Sequence, residues 1–430
     1  MRAFFVVWVG QLVSITGTTL TAFGLQLYVF AETGSVTNLS LVALAYTVPA
    51  IILAPLAGSV ADRADRRVVM LGADAVAGAA TLITAALFFA DALELWHIYL
   101  LVATGSGANA FQEPAWLASV TLLVPTEQLP RANGLVQLNV GLSFVIAPAA
   151  AGALLVTVGL GGVLLVDVAT FLIGVITLAI VRFPRATPVG GGPGDSWVSE
   201  AVFAWRYLRD RPGLFGMLWI FAGVNFMLSF GNVLIIPLVV SIASEASAGA
   251  VVSAAGLGAV TGSLVVSAWG GPKKLVAGIM AGMFVGGLLT SVAGLRSSVP
   301  LIGVAFVLML VVMPIVNALS QTIWQRKVEA GIQGRVFSLR RMISSAVSPL
   351  AILAAGPLAD SVFEPRLQPG GALADSVGAV IGTGPGRGIG FLFVLSGFGM
   401  MILAVYGYSR PRIRGIESEI PDAEVLAAGD

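Results

Sequence analysis

The stretch Gly58-Ser-Val-Ala-Asp62-Arg63-Ala-Asp65-Arg66-Arg67, residues 58–67, is a short charged segment between two long apolar runs. The apolar run 38–61 leads into it and the run 68–90 follows it, and each run is long enough to cross a bilayer of roughly 30 Å hydrocarbon as one helix. Several charged side chains in a row are costly within hydrocarbon. The segment therefore predicts a turn at a membrane surface that joins two transmembrane helices.

The composition of the whole chain agrees with this interpretation. Of its 430 residues, 57% are hydrophobic and 10% are charged, with a mean hydropathy of +0.95. A soluble domain is about 45–50% apolar and about 25% charged. The apolar runs are continuous, whereas the strands of a membrane barrel alternate apolar and polar residues. We therefore predict an all-α membrane protein.

Marking each apolar run of roughly 20 residues predicts twelve transmembrane helices. All but three of the 23 Lys and Arg residues fall on the side of the N-terminus, and the positive-inside rule makes that side cytoplasmic for both termini. Arginine-rich, Ala- and Gly-rich composition favours a bacterial cytoplasmic membrane. The predicted spans are 4–31, 38–61, 68–90, 97–123, 132–157, 160–182, 213–241, 247–270, 275–296, 299–325, 336–361 and 388–409.

The longest predicted cytoplasmic connection, residues 183–212, falls midway along the chain. We therefore expect a first six-helix bundle over 1–182 and a second over 213–409, followed by a solvated tail over 410–430. Within the connection, Trp197 and Trp205 recur at helical spacing beside arginines, which predicts a short helix lying on the membrane surface.

The composition also excludes several classes of function. The chain has no cysteine and one histidine, His97, so thiolate, disulfide and multi-histidine metal chemistry are excluded, and no metal or cofactor is expected. It has no GxxxxGK[ST] loop for ATP, and its net charge of +1 offers no basic surface for nucleic acid. We expect a monomer that is not an enzyme, with lipids and a small molecule as partners.

Two weak internal matches indicate a duplicated architecture. NAFQEPAW at Asn109–Trp116 resembles NALSQTIW at Asn317–Trp324, with an offset of 208 residues. The pair Arg66–Arg67 and the pair Lys273–Lys274 lie 207 residues apart. Two six-helix repeats are the architecture of a carrier whose site lies between the halves.

Residues 58–67 resemble the GxxxDRxxRR signature of the major facilitator superfamily. The resemblance implies alternating access and a cytoplasmic gate; anchoring by positive charge alone would explain the arginines but not the glycine and aspartate. The second copy, Trp269–Lys274, keeps the basic pair and lacks the acid, so we expect only the first copy to act. The gate residues implied by the resemblance are Gly58, Asp62, Arg63, Arg66 and Arg67.

Span five is similar to the antiporter signature of the drug exporters in this superfamily. Small residues replace three of its glycines, and generic helix packing is the alternative explanation. FQEPAW, the start of span five at residues 132–134 and the tail at 416–423 resemble the enterobactin-exporter and macrolide-efflux branch. The signature positions are Gly134, Ser143, Ala147, Pro148, Ala151 and Gly152.

This resemblance implies proton-driven export of an amphiphilic molecule such as a siderophore, a peptide-like natural product or a drug. Span four lacks the arginine that many proton-coupled members carry. An uptake or facilitated-diffusion carrier of the same fold, or a lysolipid flippase-like carrier, remains as an alternative.

Three acidic residues within the spans are candidates for proton coupling, because ionisable groups in the membrane are costly. Glu113 lies mid-span next to Pro114, and low dielectric would favour its neutral form. For Asp74 an ion pair with the nearby arginines is favoured over coupling. For Asp167 a proton relay and a packing hydrogen bond are equally compatible with the sequence.

Uncharged polar residues and two tryptophans recur on single faces of spans one, four, seven and ten. Since the resemblance places these four spans around a central cavity, we expect the stripes to line it; interhelical hydrogen bonding is the alternative. The candidates for the substrate cavity are Gln11, Ser14, Thr18, Asn109, Glu113, Trp116, Asn225, Ser229, Asn232, Asn317, Gln321 and Trp324.

Overall fold

The computed structural model describes residues 2–124, 129–181, 183, 197–328 and 332–422. Within these residues the chain is helical and contains no strand. It forms two compact units. The first comprises Met1–Gly191 and Val239–Ser253, and the second comprises Gly192–Leu238 and Ala254–Asp430.

The first unit is built from five helical segments. The first packs mainly on the fifth, the second on the fourth, and the third on the fourth and fifth. Small residues allow these close approaches: a Cβ added at Gly10 would lie 1.9 Å from Oγ1 of Thr177. The segments are α1 (Arg2–Thr33), α2 (Val36–Arg63), α3 (Arg66–Phe89), α4 (Leu95–Leu123) and α5 (Leu129–Ile180).

One residue divides α5 into two helices. Gly159 has φ 68° and ψ −176°, which is not helical and which glycine adopts without the steric cost that a Cβ imposes. The division falls between the spans predicted at 132–157 and 160–182. These two predicted spans are therefore joined by a single-residue break.

The second unit contains the remaining helices, except that residues 239–253, the end of α7 and the start of α8, belong to the first. In it, α9 packs on α10 and α15, and α6 packs on α11. The helices are α6 (Trp197–Arg209), α7 (Pro212–Val240), α8 (Glu245–Trp269), α9 (Leu275–Leu295), α10 (Val299–Lys327), α11 (Gln333–Ala346), α12 (Ser348–Pro357), a π-helix (Leu358–Phe363), α13 (Glu364–Arg366), α14 (Val377–Ile381), α15 (Arg387–Ser409), α16 (Pro411–Arg414) and α17 (Ile416–Glu419).

The segment 362–387, which its glycines and prolines predict to be irregular, contains α13 and α14 instead. Glu364 organises it, because its carboxylate accepts hydrogen bonds from the backbone N–H groups of Gly386 at 2.6 Å and Gly388 at 2.9 Å. These amides begin α15, so the carboxylate satisfies donors that have no partner within the helix. Side-chain capping thus gives order that the composition does not reveal.

Ten helices of the described part are long and apolar enough to cross a membrane. The protein is therefore a multi-pass membrane protein. The 29-residue α4 covers the span predicted at 97–123. The count of twelve spans and the cytoplasmic side of both termini stay predictions.

Candidate functional site

A cleft lies within the first unit, among α1, α2, α3, α4 and the second half of α5. It is partly open, and the space between its walls, open solvent included, is about 490 Å³. A concave, mostly apolar pocket with a few convergent polar groups is typical of small-molecule sites. The polar residues that line it are Thr18, Thr21, Tyr46, Thr81, Thr84, Ser106, Asn109 and Asp167.

Asp167 lines this cleft and is 1% exposed. Its Oδ2 accepts a hydrogen bond from Oγ1 of Thr81 at 3.1 Å, and the side chains of Thr21 and Thr170 lie beside it. In the described part of the chain it forms no ion pair, and its Oδ1 has no hydrogen bond of normal geometry. Because burying an acidic group in a membrane helix is costly, these hydroxyl groups are the compensation that the described part of the chain offers it.

A second buried carboxyl is that of Asp74, which lies on α3 two helical turns before Thr81. Oδ1 of Asp74 accepts a hydrogen bond from Nε2 of Gln112 at 2.8 Å, and the same amide donates to Oε1 of Gln11 at 2.7 Å. Asp74 is 2% exposed and Gln11 is fully buried. The three side chains tie α1, α3 and α4 together through a polar group inside the unit.

The favoured ion pair between Asp74 and the nearby arginines is not formed by Arg67. The guanidinium of Arg67 donates instead to the carbonyl oxygens of Leu178 at 3.0 Å and Ala179 at 2.5 Å. These carbonyls lie near the end of α5, where the last four have no partner within the helix. Arg67 is thus bound across α3 and α5 rather than to a carboxylate.

In the predicted gate segment, the backbone of Gly58, Asp62 and Arg63 belongs to the last turns of α2, and their side chains lie outside the described part of the structure. Arg66 is the first residue of α3. The turn between the helices is fixed by Asp65, whose carboxylate accepts from the backbone N–H of the next-but-one residue at 2.9 Å. This contact is an N-cap.

The three candidates on α4 occupy different environments. Glu113 is exposed and lies within electrostatic range of Tyr46, and Asn109 lies one turn away in the cleft. Trp116 is 4% exposed and stacks on Phe4, with the ring centroids 6.0 Å apart. Glu113 and Asn109 are therefore accessible to a small molecule, whereas Trp116 packs in the core.

The stripe on α1 is likewise divided. Thr18 lines the cleft. Gln11 is buried in its hydrogen bond to Gln112, and Ser14 is buried against α5, where a Cβ added at Gly174 would lie 3.0 Å from it. Interhelical contact, the alternative that the sequence left open, accounts for these two buried side chains.

In the second unit, the candidates on α7 also differ. The amide of Asn225 donates to the carbonyl oxygen of Phe221, one turn back along its own helix. Ser229 shares a hydrogen bond of 3.0 Å with Ser348 on α12, while Asn232 is exposed. Asn232 is thus the exposed residue of this stripe, while Asn225 is half-buried.

On α10, Asn317 is exposed and Trp324 is 1% exposed. Arg340 of α11 lies between Gln321 and Trp324: its Nη1 donates to Oε1 of Gln321 at 3.0 Å, and its guanidinium lies 5.2 Å from the centroid of the indole. Trp324, predicted to line the substrate cavity, therefore lies against an arginine of the same unit.

The span-five signature residues form one buried face of α5. Gly134 lies within the helix, and the other five positions, 143, 147, 148, 151 and 152, are buried. Oγ of Ser143 lies 3.0 Å from Oγ1 of Thr16 on α1. A Cβ added at Gly249 of α8 would lie 2.4 Å from the carbonyl oxygen of Pro148, so this face is where two backbones meet.

Sequence reasoning did not single out Gln112, Thr81, Tyr46 or Arg340. Gln112 carries a usable signal, because an amide beside Glu113 in an apolar span needs a partner. Thr81 and Tyr46 are isolated amphipathic residues in apolar runs, and only the fold shows that they face the cleft. Arg340 lies in a stretch where a positive charge is explained by anchoring at the membrane surface. The sequence therefore gives no sign of its contact with the indole of Trp324.

The family model described as Major Facilitator Superfamily matches residues 7–352. Macrolide efflux protein A of Streptococcus pyogenes is 28% identical over 84% of this chain and 90% of its own length. Multidrug efflux pump Tap of Mycolicibacterium fortuitum is 24% identical over 80% of this chain and 86% of its own length. A crystal structure of a bacterial homologue of the lysosomal transporter Spinster, 16% identical, covers 94% of this chain and 95% of its own, with a TM-score of 0.69.

Proposed function

Since the chain belongs to the Major Facilitator Superfamily and is a membrane transporter, we propose that it exports an amphiphilic small molecule by proton antiport. The names of the two efflux relatives support the export direction. The observation that carries the coupling is the pair of buried carboxyl groups, Asp74 and Asp167, neither of which has a cationic partner in the described part of the chain.

A buried carboxyl without a cation is suited to alternating between two protonation states. When it faces the proton-rich side it binds a proton at little cost, and when water reaches it from the other side it releases the proton. Asp167 lines the cleft, so a substrate bound there would lie against its carboxyl group. Binding of the substrate and binding of a proton to Asp167 therefore compete with each other. Such competition is what an exchange of proton against substrate requires.

For the substrate we propose a siderophore, a peptide-like natural product or a drug. The cleft that Asp167 lines is the site that this proposal assigns to the substrate. Its lining is mostly apolar with hydroxyl and amide groups, which suits an amphiphile. Glu113, exposed one turn from the cleft, is a candidate contact for a basic group on the substrate or for the second proton.

The proposed mechanism is alternating access in a monomer of twelve spans with both termini in the cytoplasm of a bacterial cell. Residues 1–182 and 213–409 would form the two six-helix halves, residues 183–212 the connection, and residues 410–430 the tail. The binding site of such carriers lies near the membrane midplane.

The experiment uses inverted membrane vesicles with an imposed proton gradient and a fluorescent pH reporter. Siderophores and macrolides are added to vesicles that contain the wild type or Glu113→Gln at matched protein levels. Compound-triggered proton release by the wild type supports antiport, and its reduction in the variant supports a role for Glu113 in coupling. Compound accumulation without proton movement would refute antiport. No response would favour uptake or lysolipid movement.

A further inference from the structure

The C-terminal segment Pro411–Asp422 folds back onto the ends of three helices of the second unit. At α7, a Cβ added to Gly213 would lie 2.5 Å from the carbonyl oxygen of Arg412, so glycine permits this approach. Ile413 is 4% exposed and Ile416 is fully buried. The segment, which the sequence predicts as a solvated tail, is thus packed onto the unit through its apolar side chains.

The first residues of α9 are capped by this segment. Oε1 of Glu417 accepts from the backbone N–H of Leu275 at 3.0 Å, and Oε2 accepts from that of Val276 at 3.1 Å. The residue at the N-cap position is Lys274, whose ammonium cannot accept a hydrogen bond. Glu417 therefore supplies both the acceptors and the negative charge that a helix N-terminus favours.

The first repeat has the same arrangement within one loop. The carboxylate of Asp65 accepts from the backbone N–H groups of Arg67 at 2.9 Å and Val68 at 3.4 Å. Counted from the helix starts, Asp65 binds the second and third amides of α3, whereas Glu417 binds the first and second amides of α9. The capping carboxylate that Asp65 supplies to α3 is thus supplied to α9 by Glu417, from elsewhere in the chain.

A second anchor holds the segment to α10. Nζ of Lys327, with a side chain 5% exposed, donates to the carbonyl oxygens of Glu417 at 2.9 Å and Ile420, and forms an ion pair with Oδ1 of Asp422 at 2.8 Å. The hydrogen bond from Lys327 lowers the pKa of Asp422 below its ordinary value. The acid is thus ionised at neutral pH, and the ion pair persists until the pH falls through that lowered pKa.

We propose that Glu417 is a positioning residue of a second gate, supplying from the C-terminal segment the carboxylate that the loop between α8 and α9 lacks. The role in gating rests on the proposed transport function. The docked segment links the ends of α7, α9 and α10, so these ends move together, and release of Glu417 frees the start of α9. On this proposal both copies act, whereas the sequence-based expectation is that only the first does.

Docking is tested by thiol accessibility, because the chain has no cysteine of its own. Ile416→Cys places a thiol at a fully buried position of the segment. Addition of Glu417→Ala should raise the rate of maleimide alkylation about fivefold, as expected for the loss of a helix cap. Glu419→Ala is the matched control, since Glu419 is an exposed acid of the same segment. Equal rates in all three proteins would overturn the proposal.

The capping role of Glu417 is tested by placing an acid at the N-cap of α9 in a variant that lacks Glu417. Lys274→Asp places an acid at the N-cap of α9, as Asp65 stands at that of α3, so with Glu417→Ala it should restore transport to near the wild-type rate. Glu417→Ala alone should slow transport severalfold, while Glu419→Ala should not. Should Glu417→Ala yield little folded protein, Glu417→Gln removes the charge and keeps the shape.

Two results would overturn the role in gating. One is a raised alkylation rate with unchanged transport, and the other is slowed transport that Lys274→Asp does not restore. Failure of the proposed function is separate, because it would appear as absent transport by the wild type. The alkylation rates are read without substrate and decide the docking of Glu417 by themselves.

Discussion

At the scale of single residues, the acidic side chains in the membrane-spanning helices differ by what surrounds them. Asp167 and Asp74 are almost completely buried, with threonine or glutamine as neighbours, whereas Glu113 is exposed. The two buried acids are thus held by hydrogen bonds inside the unit, while in the described part of the chain the side chain of Glu113 is free of them. This difference suits the first two to carrying the proton and the third to meeting the substrate.

Asp167→Asn should abolish proton coupling while the protein still folds. Asparagine has nearly the same shape and can accept the hydrogen bond of Thr81, but it cannot exchange a proton, so substrate-triggered proton release should fall by at least about tenfold. The melting temperature should stay equal or rise, because asparagine replaces a buried ionisable group by a neutral one. Proton release in vesicles and thermal unfolding in detergent are the measurements.

The matched control is Asp91→Asn, because Asp91 is an exposed acid in the turn after α3 with φ 52°, a conformation that asparagine also tolerates. It should keep wild-type proton release. Equal proton release by Asp167→Asn and the wild type would remove Asp167 from the coupling path.

Sequence pattern alone could nominate these residues but could not rank them. An acidic residue within an apolar run is costly to place in a membrane, and this is why Glu113, Asp74 and Asp167 stand out in the sequence. The compensation for that cost comes from side chains distant in sequence: Thr81 lies 86 residues from Asp167, and Gln112 lies 38 from Asp74. Helix packing decides these pairings, and no local signal reveals them.

At the scale of elements, the buried face of α5 shows what the span-five signature does locally. Glycine and alanine on this face allow α5 to approach α8 until backbone meets backbone at Pro148 and Gly249. Such contacts leave no room for a methyl group, so the geometry depends on the size of the side chain rather than on its polarity.

Gly249→Ala should therefore destabilise the protein by about 1–3 kcal/mol, because the added Cβ would meet the carbonyl oxygen of Pro148 and force the helices apart. Gly141→Ala is the control, since a Cβ there meets no atom within 4 Å and alanine is the better helix former. Thermal unfolding in detergent compares the two variants. A melting temperature for Gly249→Ala at or above that of Gly141→Ala would contradict the packing argument.

The turn between α2 and α3 carries a further prediction. Asp62→Asn should impair gating and slow transport by about tenfold with folding retained, since it removes a charge but hardly any volume. Asp91→Asn is the matched control, because Asp91 is an exposed acid in a turn outside the gate segment. Transport at matched expression is the measurement, and equal rates for both variants would show that the charge of Asp62 has no part in the gate.

The helices themselves were predictable, since long apolar runs have few structural solutions in a membrane. The all-α fold and the superfamily are confirmed. The order within 362–387 and the docking of the C-terminal segment were not foreseen. Each depends on a carboxylate that caps a helix distant in sequence: Glu364 caps α15, and Glu417 caps α9.

At the scale of the whole molecule, the orientation of the spans is open to a direct test. Asp375 and Lys273 are exposed and lie in loops predicted on opposite sides of the membrane. In intact cells, a membrane-impermeant maleimide should label Asp375→Cys and spare Lys273→Cys, and lysis should make both reactive. Labelling of Lys273→Cys in intact cells would reverse the predicted orientation.

The contact between Glu417 and α9 also has a consequence for the order in which the protein is made. The carboxylate lies 142 residues after the first amide that it caps, and domains fold as they emerge during synthesis at about 5–20 residues per second. The start of α9 must therefore wait several seconds for its cap, whereas α3 receives its own with the preceding residue. The second half of the fold is thus completed only when residue 417 has been synthesised. A ribosome that stalls before this residue would leave a nascent chain in which the start of α9 has no cap.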